Sequence, residues 1–168
     1  MKIIVNDTNI FIDMNSIGLL GLMCELEYEI HTVDFVTAEI INPEQKEVFN
    51  QMVASGKIKV DSFTSKEVSE IVEEYSAVSS NLSIPDCSVC YYARKNNVPM
   101  LTGDRRLRKY AEQQSIEVHG ILFLFDEMVA NSVISSIDAA TKLEELMALN
   151  SRLPQAAIRE RIDKWRGR

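Results

Sequence analysis

The spacing of apolar and polar residues changes character several times along this chain, and each change predicts an element. Ile3, Ile4 and Val5 form a short apolar run closed by Asn6 and Asp7, the pattern of a strand buried on both faces. A polar turn leads into the apolar stretch 10–23, predicted helical in its second half. Residues 31–36 read as a second strand, with Thr37 as N-cap of a helix that begins at Ala38 and Glu39. Pro43 suits the first turn of a further helix reaching Ala54, and Gly56 suits the position just beyond its end. Residues 58–63 alternate like an edge strand. Thr64 and Glu67 then have capping-box spacing ahead of an apolar stripe made of Val68, Ile71, Val72, Tyr75 and Val78.

Residues 79–83 are predicted to break that helix, and Ser83-Ile84-Pro85-Asp86 to start the next, which runs to about Asn97 with Asp86 in its first turn. A core strand is expected over 98–101, a short amphipathic helix over 105–113 and a last strand over 116–119. Beyond Gly120 the pattern is helical throughout, at 121–129, 136–149 and 154–166. Strands alternating with helices imply a parallel sheet covered on both faces, an α/β fold of three layers.

The length of 168 residues suits one buried core, so a single domain over 1–168 is expected, with 1–120 as its core and 121–168 as a helical C-terminal extension. Asp7 and Asp13 interrupt any secretory apolar region, and residues 17–23 are far too few to span a membrane, so a soluble, cytoplasmic protein is expected. Cys24, Cys87 and Cys90 are odd in number and lie in apolar contexts, which fits reduced thiols packed as small hydrophobes. The net charge of −7 argues at first sight against a nucleic-acid partner. Its distribution weakens that objection, because residues 151–168 carry +4 and Arg105, Arg106, Arg108 and Lys109 directly follow Asp104.

Four acids then stand out. Asp7 and Asp104 each close an apolar strand, whereas Glu39 and Asp86 each fall in a predicted first helical turn, where the helix dipole alone could account for them. All four can be placed at the carboxyl edge of one sheet, where open α/β folds bind ligands. Two carboxylates about 5 Å apart repel by roughly 3 kcal/mol at an effective dielectric near 20, so such a quartet calls for a cation. Oxygen-only donors suit hard ions such as Mg²⁺ or Mn²⁺.

The segments Val5-Asn6-Asp7-Thr8-Asn9-Ile10-Phe11-Ile12, Thr37-Ala38-Glu39-Ile40, Ile84-Pro85-Asp86-Cys87 with the residues to Ala93, and Leu101-Thr102-Gly103-Asp104-Arg105-Arg106-Leu107 resemble the four acidic motifs of the PIN-domain ribonucleases, and within them the VapC-like toxins of toxin-antitoxin modules. The resemblance implies a PIN-like α/β/α sandwich and metal-dependent endonucleolytic cleavage of RNA. It implies an acidic, metal-binding and catalytic pocket of Asp7, Glu39, Asp86 and Asp104, with Asn9 and Thr102 holding the carboxylates and Mg²⁺ or Mn²⁺ as cofactor. It also suggests a small antitoxin partner and a homodimer. In this reading a cation makes water a usable nucleophile, and Arg105 or Arg106 steadies the phosphate.

Other readings are weaker. Asp7-Thr8-Asn9 could be a degraded nucleophile motif of a haloacid-dehalogenase-like phosphohydrolase, but that chemistry wants an aspartate at position 9. A non-catalytic RNA-binding or interaction module could keep the fold without turnover, although the presence of all four acids counts against it. The Cys87-x-x-Cys90 pair lacks the second pair a zinc site needs. His31 and His119 lie in predicted strands and are assigned no role. On the last helix, Ile158, Ile162 and Trp165 form a stripe that either docks the helix with its arginines facing solvent or offers a surface to RNA phosphates or an acidic partner. No motif there names a target RNA.

Overall fold

The computed structural model describes residues 2–78 and 81–168. Five strands, β1 (Lys2–Asn6), β2 (Tyr28–Val33), β3 (Ile58–Asp61), β4 (Met100–Leu101) and β5 (Val118–His119), form one wholly parallel sheet in the order β3-β2-β1-β4-β5. The short stretch 58–61 is an edge strand, as its alternation predicted, whereas β4 and β5 are each only two residues long.

Among the described residues ten helices connect and cover the strands: α1 (Thr8–Ser16), α2 (Leu20–Met23), α3 (Asp34–Thr37), α4 (Pro43–Ala54), α5 (Ser65–Ala77), α6 (Ile84–Asn96), α7 (Arg105–Gln113), α8 (Ile121–Ala130), α9 (Ser136–Leu149) and α10 (Gln155–Trp165). Successive residues of the central strands β1 and β4 feed opposite cores, as a buried parallel sheet requires. Ile4 and Leu101 pack with α1, α2, α4, α8, α9 and α10, whereas Val5 and Met100 pack with α3, α5, α6 and α7. The result is the expected three-layer α/β/α sandwich with a parallel centre. The C-terminal helices are part of the first of these cores, through Phe125, Leu143, Ile158 and Ile162.

Local signals explain most helix starts. Asn42 caps α4 with Pro43 in its first turn, and Gly56, at φ +75°, follows its end. Thr64 and Glu67 form a reciprocal capping box on α5, and Ser83 and Asp86 form another on α6. The expected apolar stripe of α5 is only partly covered: Ile71 is buried while Val72 and Tyr75 are exposed. Two residues of the predicted break, Ser79 and Ser80, lie outside the described residues. Cys87 and Cys90 are free and buried on α6, and burial pushes the Cys87 thiol up to about 11 and the Cys90 thiol further still. That suits packing and opposes thiolate chemistry. Among the described residues no helix is long and apolar enough to cross a membrane.

Three local expectations are corrected. The helix after β1 begins at once, because the Asp7 side chain accepts from the Thr8 N–H, and it ends before Gly18 at φ +71°; the first half of 10–23 is therefore helical and the second half broken. β2 runs over Tyr28–Val33, not 31–36, because Asp34 turns the chain by accepting from the Phe35 N–H. Thr37 consequently ends α3 and caps nothing, its hydroxyl donating back to Asp34 O, and Glu39 follows a helix instead of opening one.

Ile158, fully buried in α10 within the same core as Ile4 and Phe11, reports on how firmly the last helices belong to the fold. Ile158→Ala should lower the stability of the whole chain by about 2–5 kcal/mol while preserving one cooperative urea transition. Separate early melting of the C-terminal helices, seen as a second transition by circular dichroism, would show them to be independent.

Candidate active site

The ends of β1 and β4 lie side by side, and their register decides what meets there. Asn6 pairs with Leu101, so Asp7 and Thr102 are neighbours one step further along, and the Asp7 N–H donates to Leu101 O at 3.0 Å. The Thr102 hydroxyl donates to Asp7 Oδ2 at 3.0 Å and accepts from the Asp104 N–H at 3.1 Å. Asn9, the second residue of α1, donates from Nδ2 to Asp7 Oδ2 at 2.9 Å, while its Oδ1 accepts from the Gly103 N–H at 2.9 Å. With the Thr8 N–H on Oδ1 at 2.8 Å, the Asp7 carboxylate accepts three hydrogen bonds and is only 4 % exposed.

Those bonds do not offset its surroundings. The Asp7 carboxyl is pushed from 3.8 up to about 7, first by burial and next by repulsion from Asp86; the Thr8 and Thr102 bonds oppose the rise, and Glu39 adds to it. Asp86, half-buried at the start of α6, is also raised by burial, against the hydrogen bonds from Ser83. Asp104 repels it further and Arg106 attracts it. Glu39 and Asp86 therefore act on Asp7, and Asp104 acts on Asp86, so all four acids are linked in one electrostatic neighbourhood.

Each acid is held differently. Asp7 caps α1; Asp86 accepts from the Ser83 N–H at 2.9 Å while its own N–H donates to Ser83 Oγ at 3.2 Å; Asp104 caps α7 by accepting from the Arg106 and Leu107 N–H groups at 2.8 and 3.0 Å. Glu39 has no such anchor and instead accepts from the Thr8 hydroxyl at 2.9 Å. Thr8 is the residue the sequence reading overlooked. Its position beside Asp7 was visible, but its reach to Glu39 depends on how α3 packs. Arg105 and Arg106 are exposed at the start of α7, with no ion-pair partner among the described residues.

Among the described residues no three His, Cys, Asp or Glu side chains form a group that could hold a metal ion by themselves. The carboxylates of Asp7, Asp86 and Asp104 are turned into their own helix caps, and that of Glu39 accepts from Thr8. Mg²⁺, however, keeps several waters and commonly uses one or two carboxylates. An uncompensated buried Asp7 beside Asp86, with only oxygen donors around it, fits a hydrated divalent cation in charge and in ligand type.

A family model described as "PIN domain" matches residues 3–166. No curated protein matches the chain. Among solved structures it is similar to a PilT N-terminus domain protein from the hyperthermophilic archaeon Sulfolobus solfataricus P2, at 12 % identity and TM-score 0.47 over 73 % of this chain and 89 % of that one. The VapBC2 structure of Rickettsia felis, bound to a DNA fragment from the promoter, gives 15 % identity and TM-score 0.48 over 70 % of this chain and 98 % of that one. FitAcB from Neisseria gonorrhoeae gives 15 % and 0.43 over 71 % and 98 %.

The raised pKa of Asp7 makes stability depend on pH. Below pH 3.8 the group is protonated folded or unfolded and costs nothing; between pH 3.8 and about 7 only the unfolded chain releases its proton, so stability falls with rising pH and levels off above 7. The loss is on the order of 4 kcal/mol. In EDTA the parent should therefore lose stability between pH 4 and pH 8, whereas Asp7→Asn, which keeps an oxygen for the Thr8 N–H but turns an amide towards the Asn9 and Thr102 donors, should lack that fall. Urea midpoints across that range measure it, and Mg²⁺ should stabilise only the parent.

Proposed function

The chain belongs to the PIN-domain family, and from that premise we propose that it is a metal-dependent endoribonuclease that hydrolyses RNA phosphodiesters. The observation that carries this reading is Asp7, buried at the carboxyl end of β1, short of positive charge and repelled by both Asp86 and Glu39. Asp7, Asp86 and Asp104, with Glu39 at the margin, are the catalytic carboxylates in this reading, and they would hold Mg²⁺ or Mn²⁺ mostly through water. When bound, such an ion supplies Lewis-acid chemistry, offsetting charge on the phosphodiester and making water more acidic.

The protein's own groups supply the rest. Asn9 and Thr102 both donate to Asp7 Oδ2 and fix the direction in which its other lone pairs point. Arg106 lies near enough to Asp86 to oppose the rise of its pKa, so its guanidinium is available at the pocket, and Arg105 adjoins it on α7. Together they offer planar donors to the scissile phosphate or its neighbour. The dehalogenase-like alternative has less support, since Asn9 occupies the position of the required second aspartate and is committed to Asp7 and Gly103.

We further infer that residues 1–168 act as one domain and that the protein works in the cytoplasm as the toxin of a toxin-antitoxin pair, as a homodimer. An antitoxin offering a basic side chain to the acidic pocket would supply the charge the pocket lacks.

The test is a digest of defined RNA by the purified protein. Cleavage should require Mg²⁺ or Mn²⁺ and stop with EDTA, and Asp7→Asn should lower the rate by at least about a hundredfold without loss of fold. Metal-independent cleavage, or full activity of that variant, would refute the assignment.

A further inference from the structure

Glu39 is the one acid of the four that no helix start secures. It is exposed, follows the C-terminus of α3, and was expected in a first helical turn that the structure does not contain. What reaches it is the hydroxyl of Thr8, a side chain only 4 % exposed, from the first residue of α1. Thr8 Oγ1 is 2.9 Å from Glu39 Oε2 and 3.0 Å from Val36 O.

A threonine hydroxyl has one proton for these two acceptors. The Val36 carbonyl already accepts the backbone N–H of Glu39 itself at 3.0 Å. The proton is therefore best used on the carboxylate, a charge-assisted bond of the stronger kind. Thr8 also donates its backbone N–H to Asp7 Oδ1 at 2.8 Å. One residue thus touches the two acids that come from different connections of the sheet, Asp7 after β1 and Glu39 beyond β2.

Resting on the nuclease reading above, we propose that Thr8 is a positioning residue that holds the Glu39 carboxylate at the acidic pocket and so sets the affinity of the site for its divalent cation. Thr8→Val preserves the branched shape that fills this buried spot and removes the hydroxyl. Thr8→Ser keeps the hydroxyl and removes a methyl group.

The experiment measures Mn²⁺ binding by electron paramagnetic resonance and RNA cleavage as a function of Mn²⁺, in the full chain. Loss of one hydrogen bond to a charged group should weaken Mn²⁺ binding by about tenfold in Thr8→Val and raise the Mn²⁺ needed for half-maximal cleavage equally, with the rate at saturating Mn²⁺ changed far less. Thr8→Ser should restore most of the affinity. In a Glu39→Gln background, Thr8→Val should have little further effect, because Thr8 acts through that carboxylate. Unchanged affinity in Thr8→Val, an undiminished effect in the Glu39→Gln background, or a parent protein that binds no Mn²⁺ would overturn the proposal. Binding that follows this pattern in a protein that cleaves no RNA would uphold Thr8 and remove the nuclease reading. Should Thr8→Val fail to fold, Glu39→Gln and Thr8→Ser carry the test: equal Mn²⁺ affinity in Glu39→Gln and the parent overturns the proposal, and a loss retained by Thr8→Ser at the same size does so too.

Discussion

The parallel pairing of β1 with β4 is the constraint on which the site depends. Once Asn6 is opposite Leu101, Asp7 and Thr102 must leave the sheet together, and the helices that follow each strand must start at that same rim. α1 begins on Asp7 and α7 on Asp104, while α6 brings Asp86 from the layer above. Each of these three helix starts carries one of the acids in or beside its cap, where the partial positive charge of the helix N-terminus favours a carboxylate. The relief is incomplete. Asp7 already accepts three hydrogen bonds and its pKa is still pushed up to about 7, so backbone, amide and hydroxyl donors do not substitute for a full positive charge.

The parts of this arrangement legible in the sequence are those set by chemistry between near neighbours. Ser83 with Asp86, and Thr64 with Glu67, announce their helices because a reciprocal cap needs only three-residue spacing. The apolar runs at residues 3–5 and 100–101 likewise announce buried strands, since nothing else hides such a run so cheaply. Errors cluster where local preference is weak or divided. Val33, Phe35 and Val36 favour a strand by type, yet Asp34 accepts from the Phe35 N–H and a one-turn helix forms that only packing against α6 can sustain. Thr8 and Asn9 are poor helix formers, so the start of α1 was not evident, although both are helical because Asp7 caps them. Glu39 was recognised as an acid of interest for the wrong local reason: its place comes from long-range contact with Thr8 and not from a helix start.

The C-terminal helices show how charge counted along a sequence differs from charge offered to a partner. The segment 151–168 carries +4, but Arg161 is paired with Asp126 and Arg166 with Glu144. Ile158 and Ile162 dock α10 in the core, so the apolar stripe has a structural use. Arg152, Arg159, Lys164 and Arg168 remain exposed, without an ion-pair partner among the described residues. The helix therefore docks and still leaves basic groups in water. The two readings of this segment are compatible, because burial concerns one face and the exposed arginines another.

Charge at the pocket follows a different logic from charge on the surface. Exposed pairs such as Lys57 with Glu25 are screened and interchangeable. Asp7 has lost the water that would screen it, and each neighbour that raises its pKa also makes the folded chain less stable when the proton leaves. A group there that stays neutral would spare the folded chain that cost. In the proposed reading a positive charge from outside the chain offsets that cost for part of the protein's working life. In the proposed reading a hydrated divalent ion and a basic side chain of a partner would each supply such a charge, and the two would compete for the pocket.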